Sequence, residues 1–488
     1  VPESNLSFAE KLRLVQAQKA PAPAKKQRAT VTNIDPFATV NTFFSGPADN
    51  FTDLGNAQRM VRLFGDRIRY CVEFKKWLLW DGQRWQLCGQ AEIYTLAIEA
   101  IRSLIGDAMK VDDFPLREKI TKHSLASESA AKLKAMIDIA EKLPGVAIHQ
   151  HLLDSHHFKL NVLNGTVDLE TGTLLGANRD EYSTKQAAVE FNAFASCPTW
   201  ERFLDRAMAG NKELIRYIQK VVGYSLTGST ALQCMFIPYG PGANGKSVFI
   251  KTLESLFHDY SIHCPASTLM VKQESNSNGI ARLRGSRFVA AVETDEGNRL
   301  AESLIKELTG GDTIAARFLY AEFFEFTPCF KIWLACNHKP VIRGSDDAIW
   351  RRVKLIPFVV TIPQSERDHG LTEKLSKERS GILNWAIEGC LAWQREEISD
   401  PEEVRAATDG YRREMDLIGS WIDERCICLG SVSGKAGQLY DDFKDWCGDN
   451  SEWIMTNRMF GMKLSERGYV KIQRNTGACY IGISLKSG

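Results

Sequence analysis

The sequence has little that would tie it to a membrane, a metal or a polyanion coat. No run reaches the roughly 18 consecutive apolar residues that a membrane helix needs, and no stretch resembles a signal peptide. Neither sign of charge dominates: 61 Lys and Arg face 60 Asp and Glu, for a net charge of +1. That balance excludes a wholesale nucleic-acid coat and leaves open local basic surfaces of the kind that line single-strand channels. No C-x-x-C pair occurs among the 12 cysteines, which excludes a zinc ribbon or a dithiol redox motif. Without a secretory signal they read as reduced, buried thiols of a cytoplasmic protein. No internal repeat is present. The first residue is Val1 rather than Met, as in a processed product or the C-terminal part of a longer chain.

What is present is an ordinary globular composition, 44% hydrophobic and 25% charged, over 488 residues. That length exceeds what one core serves and predicts two to four domains. Residues 1–35 contain QKAPAPAKKQRAT and read as a flexible basic tail or linker. Residues 36–198 read as an α+β domain. RYCVEFKKWLLWDGQRWQL carries Asp81-Gly82 between aromatic runs, and LNVLNGTVDLETGTLL carries Asn164-Gly165 and Thr171-Gly172, both hairpin signals. Amphipathic helices lead into residues 199–400, where strand and helix alternate as in a parallel-sheet α/β unit. Residues 401–488 read as helices followed by a two-stranded ribbon, the order of a winged helix, with Arg467, Lys471 and Arg474 near the ribbon.

The chemistry concentrates in YGPGANGKS, Tyr239 to Ser247, which follows the apolar run MFIP and precedes a helical pattern. This is G-x-x-x-x-G-K-S. Gly240, Pro241, Gly242, Ala243, Asn244 and Gly245 form a loop whose backbone N–H groups can cradle phosphate at a helix N-terminus. Lys246 would reach the β- and γ-phosphates, the Ser247 hydroxyl would hold Mg²⁺, and Val248 continues the helix. A second acidic element stands at the end of FVAAVE, where Glu293 can anchor the metal or orient water. Asp295 and Glu296 are close enough in sequence to share that work. The run KIWLAC is followed by Asn337, whose amide can bond the γ-phosphate or the lytic water. WRRVKLIPF places Arg351 and Arg352 just before another apolar stretch; alone, such a pair reads as a solvated or salt-bridged surface. HLLDSHHFK clusters histidines with Asp154, and a polar helix or loop is the better reading than a metal site.

In order, YGPGANGKS, VETDEG, LIKELTGGDTIAARFLYAEFFEFTP, WLACNHKP and WRRVKLIPF resemble the superfamily 3 helicase module of the AAA+ class, as in the primase-helicases of satellite phages, plasmids and poxviruses. The resemblance implies an ATP-hydrolysing DNA helicase with Mg²⁺ as cofactor and 3′-to-5′ polarity. It would serve the replication of a phage, plasmid or related mobile element in the cytoplasm of a bacterial host. Lys246 and Ser247 match the Walker A pair, Glu293 the Walker B acid and Asn337 the polar sensor. Arg352, with Arg351 as runner-up, matches an arginine finger that reaches a neighbour's ATP, and Lys306 matches a basic residue sensing the neighbour's γ-phosphate or is a solvated helix lysine. Such a head-to-tail interface implies a homo-oligomeric ring, a hexamer in this class. The segment TIAARFLYAEFFEFTP matches a channel hairpin with its tip near Arg317 to Glu322, where Arg317 could contact phosphate and Tyr320 stack on a base of single-stranded DNA. Leu319, Tyr320 and Ala321 stand where relatives often carry a Lys or His. A primase or origin-binding partner is implied, and no convincing primase site appears before the loop. The remaining alternatives are the helicase part of a larger primase-helicase, an origin-binding or assembly ATPase that remodels without unwinding, and a nucleotide-gated interaction or defence module.

Overall fold

The computed structural model describes residues 50–271, 277–293, 295–320, 322–344, 346–450, 452–475 and 477–486. The basic tail expected over 1–35 lies outside the described residues, as does Ala321 in the expected hairpin tip.

Five parallel strands organise the centre of the chain: β1 (Met235–Tyr239), β2 (Ser261–His263), β3 (Phe288–Glu293), β4 (Lys331–Cys336) and β5 (Val353–Pro357). Their spatial order is β5-β1-β4-β3-β2. Both faces of the sheet are covered, so β1 and β4 are apolar almost without alternation. Successive residues nonetheless serve two different cores. Phe236, Phe288 and Trp333 pack against Phe249 and Phe257 of helix α1 (Lys246–Phe257). Met235, Ile237, Ile332 and Leu334 pack on the other face against Ile305 and Leu308 of helix α2 (Glu302–Gly310).

On the α1 face, helix Lys212–Leu226 lies against helix Arg379–Glu396 at backbone contact. A Cβ on Gly223 would stand 2.1 Å from the Cys390 amide nitrogen, and one on Gly389 would stand 1.9 Å from the Gln219 carbonyl oxygen. Neither position has room for any side chain.

Before this unit, helices Asp53–Phe64, Gln90–Ala108, Phe114–Ser127 and Ala130–Ala140 pack around a core that includes Met60, Ile101 and Met136. A small sheet flanks them. Its turn is the one the Asp81-Gly82 signal predicts: Asp81 Oδ1 accepts the N–H groups of Gln83 and Arg84, Gly82 takes φ +101°, and Trp80 pairs with Trp85. The second signal becomes an antiparallel meander, Lys159–Val162, Gly165–Asp168 and Thr173–Leu175. Leu160, Val162 and Val167 of that meander join the α1-face core. The histidine cluster is a polar loop. The Asp154 carboxylate accepts the N–H of Thr184 at 2.7 Å, and His157 Nδ1 lies 2.7 Å from the Gly228 carbonyl. Among the described residues no group of three His, Cys, Asp or Glu could hold a metal ion.

After the sheet, helices Leu417–Arg425, Ala436–Asp449 and Asn457–Glu466 and the ribbon Val470–Arg474 with Gly477–Ile481 enclose a separate core of Trp421, Phe443, Phe460 and Tyr480. The architecture is thus mixed α/β around a parallel sheet. No helix among the described residues is long and apolar enough to cross a membrane.

Candidate functional site

In an open parallel sheet, ligands bind beyond the carboxyl ends of the strands, where the chain reverses its direction of travel across the sheet. Here that point is the end of β1, because β5 lies on one side of it and β4 to β2 on the other. The loop Gly240–Gly245 leaves β1 at this place and enters α1 directly. The exit of β5 pins it. Asn244, only 2% exposed, donates from Nδ2 to the Phe358 carbonyl at 2.9 Å, and a Cβ on Gly240 would stand 2.2 Å from the same oxygen. Gly245 takes φ +89°, and a Cβ there would meet the Phe203 ring at 2.9 Å. Pro241, Gly242 and Ala243 are exposed, and Ser247 presents an exposed side chain in the first turn of α1, with Val248 half-buried behind it.

Lys246 is buried and folds back over its own loop, donating to the carbonyls of Gly240 and Pro241 and to Asn244 Oδ1 at 3.1 Å. Burial pulls its ammonium below the ordinary lysine range. An anion entering the loop would supply the countercharge that these neutral oxygens lack.

Strand register brings the rest of this half together. Tyr239 stands beside Cys336, and Cys336 beside Glu293, so three neighbouring strands end at one level. Glu293 is buried, and its Oε1 accepts the N–H of Asp295 at 2.9 Å, which tightens the turn behind it. Asn337 is exposed immediately beyond Cys336, Asp295 and Glu296 are exposed, and Glu296 faces His338 at 3.9 Å. Burial pushes the Cys336 thiol up to about 12; the Lys246 charge opposes this and the Glu293 charge adds to it. The hydroxyl of Ser247 and the carboxylate of Glu293 are hard oxygen donors of the kind that magnesium takes.

The other candidate residues stand toward the opposite, amino-terminal ends of the strands. The Arg352 carbonyl accepts the N–H of Met235, the first residue of β1, at 2.7 Å. Its guanidinium is enclosed and points inward, donating to Thr309 Oγ1 of α2 at 3.1 Å and to the Ala348 carbonyl at 2.6 Å. Arg351 is exposed, with Nη2 3.4 Å from Gln233 Oε1. Gln233 in turn donates to the Gly310 carbonyl at 2.8 Å. Lys306, on α2, pairs with Asp346 at 2.7 Å. The six candidates therefore fall into two sets, Lys246, Glu293 and Asn337 at the carboxyl ends of the strands and Lys306, Arg351 and Arg352 toward their amino ends. Four strand rises, roughly 13 Å, lie between the two ends of β1.

From α2 the chain runs into a hairpin, Ile314–Ala316 paired with Phe324–Phe326. Its tip is open. Arg317, Phe318, Leu319 and Phe323 are exposed, and Tyr320 is fully so, with φ +60°. The Arg317 guanidinium lies over Phe323 at 4.8 Å. Segment Ser277–Ala281 braces one side: Ser277 Oγ accepts the N–H of Arg317 and Asn278 Oδ1 that of Leu319. At the hairpin base the Arg284 guanidinium is held between Phe324, at 5.2 Å, and Phe74 of the N-terminal region, at 4.4 Å.

Sequence reasoning passed over Asp346, Gln233 and Arg284. Asp346 carried one usable signal, an Asp at the head of the short helix Asp347–Trp350, where an N-cap is favoured. Gln233 and Arg284 carried none, because their partners lie dozens of residues away.

Residues 57–209 match a family described as "D5 N terminal like", and residues 239–352 match one described as "Family of unknown function (DUF5906)". The chain is 26% identical over 324 residues to "Putative helicase L207/L206" of Acanthamoeba polyphaga mimivirus, covering 61% of this chain and 34% of that protein. It is 24% identical over 310 residues to "Primase D5" of Fowlpox virus (strain NVSL), covering 58% and 35%. The chain thus spans about a third of the length of these curated relatives. Among solved structures, the apo C-terminal region of NrS-1 (305–718) aligns with a TM-score of 0.48 at 9% identity, covering 88% of this chain and 99% of that one. The chain is thus similar, in its N-terminal region, to a D5-like domain and, more widely, to relatives named helicase and primase.

Proposed function

We propose that the chain is the motor part of a replicative primase-helicase, an AAA+ unit of superfamily 3 that hydrolyses ATP between neighbouring copies and moves along single-stranded DNA. The observation that carries this reading is the division of the candidate residues between the two ends of the strands of one sheet. A single copy cannot bring Arg351 or Lys306 to a nucleotide on its own Gly240–Gly245 loop. A second copy stacked head-to-tail can, and repeating that contact closes a ring, a hexamer in this class.

In this reading the loop N–H groups and Lys246 bind the phosphates of ATP. Ser247 and Glu293 would hold Mg²⁺, with Asp295 nearby, and the ion when bound supplies charge neutralisation on the phosphate oxygens. Asn337 orients water or the terminal phosphate. Arg351 of the next copy approaches the charge that develops on transfer, and the enclosed Arg352 stiffens the turn from which it extends. The hairpin tip supplies Arg317 for phosphate and Tyr320 for stacking. The separate C-terminal core, read as a winged helix, would bind DNA or a partner such as a primase or origin-binding protein through Lys471 and Arg474. The resemblance implies 3′-to-5′ polarity.

The test is mixing. Lys246→Ala and Arg351→Ala proteins, each inactive alone, should regain part of their ATP turnover when combined, because mixed interfaces pair an intact loop with an intact arginine. No recovery at any ratio would count against an interface shared between copies. Strand separation on a forked DNA, alongside turnover, then distinguishes a helicase from an ATPase that only remodels.

A further inference from the structure

Asp346 joins the pieces of the cationic set. Its Oδ2 lies 2.7 Å from the Lys306 ammonium, and its Oδ1 accepts the N–H of Ile349 at 3.0 Å, capping the short helix that ends at Arg351. Its side chain is 55% exposed. It lines a cleft of about 840 Å³ between the sheet unit and the C-terminal region, with Arg343, Trp350, Trp453 and Lys463. Lys306, ahead of the field of Lys463, holds the carboxyl below its ordinary range. An ion pair this exposed contributes little to stability. What it does fix is direction. Two elements far apart in sequence, α2 and the helix Asp347–Trp350, have their cations referenced to one carboxylate.

We propose that Asp346 is a positioning residue for the cationic half of the shared nucleotide site: one oxygen holds the Lys306 ammonium and the other sets the turn that presents Arg351. This inference rests on the reading of the site as one completed by a second copy. A flexible lysine is a poor sensor unless something limits where its charge can be, and a fixed carboxylate does so while leaving the ammonium two further donor hydrogens for a phosphate.

The experiment uses the full chain and compares Asp346→Asn with Asp346→Ala. Asparagine remains a good helix cap, so Asp346→Asn keeps the turn and loses only the negative charge that faces Lys306. If Asp346 positions, Asp346→Asn lowers kcat for ATP about tenfold or more with KM nearly unchanged. The double variant with Lys306→Ala is then no worse than Lys306→Ala alone, because both remove one interaction. A purely structural role would instead return kcat to the wild-type value in Asp346→Asn, or make the two losses multiply, and either result overturns the inference. The two readings fail differently. Turnover that depends on Lys246 but ignores Asp346→Asn removes only this inference, whereas turnover that survives Lys246→Ala or is absent from the wild-type chain removes both.

Discussion

The N–H of Met235 donates to the Arg352 carbonyl at 2.7 Å, so the strand that leads to Lys246 is bonded at its other end to the arginine. Strand pairing fixes the distance between the two halves of the candidate site. No side-chain rotation within one copy closes it.

Arg351 and Arg352 should behave differently despite being adjacent. Arg351→Ala removes an exposed guanidinium and should abolish turnover while leaving the melting temperature unchanged. Arg352→Ala strips the bonds to Thr309 and Ala348 and should cost roughly 1–3 kcal/mol of stability. Thermal unfolding beside phosphate release separates them, and equal melting temperatures would contradict the enclosed role of Arg352.

Lys331, at the start of β4, is fully buried and donates to the carbonyls of Thr227 and Ser229. Burial pulls its ammonium down to about 7 from 10.5. Below pH 7 the folded and unfolded chains both carry the proton, and the cost of burying the charge is present in full. Between about 7 and 10.5 only the unfolded chain keeps it, so stability from this group rises with pH, by about 1.4 kcal/mol per pH unit. Urea unfolding of wild type and Lys331→Met should therefore diverge in favour of wild type across that window, and parallel pH curves would refute it.

The hairpin tip offers a binding prediction. Tyr320→Ala should weaken single-stranded DNA binding by about 1–3 kcal/mol with an unchanged salt slope, and Arg317→Ala should reduce the slope of log affinity against log salt by about 1. Fluorescence anisotropy at several salt concentrations reads both. Unchanged affinity in both variants would move the contact elsewhere.

Gly223 and Gly389 should tolerate nothing larger. Gly389→Ala places a Cβ against the Gln219 carbonyl and should cost roughly 1–3 kcal/mol by forcing the two helices apart. Denaturation midpoints check this.

Much of the local plan was legible in the chain. The apolar run before Gly240, the glycines and the helical spacing after Lys246 specify strand, loop and helix with no outside help, and Asp81-Gly82 specifies its turn. What could not be read were relations between distant segments. Both arginines of WRRVKLIPF look alike in sequence, and only the Thr309 hydroxyl, waiting on α2, decides that Arg352 turns inward. Lys306 sits off the apolar face of its helix, which suggests solvent, yet its partner is 40 residues on. The glycines of Lys212–Leu226 and Arg379–Glu396 signal nothing until the two helices meet.

The Arg284 guanidinium, clasped between Phe74 and Phe324, gives the hairpin an anchorage besides the Ser277–Ala281 brace. A load applied at Tyr320 reaches the body of the protein through the two hairpin strands, through the Ser277–Ala281 brace and through this clasp into the N-terminal region. The N-terminal region then serves as a buttress, and any partner that shifts it changes how stiffly the hairpin meets a pull.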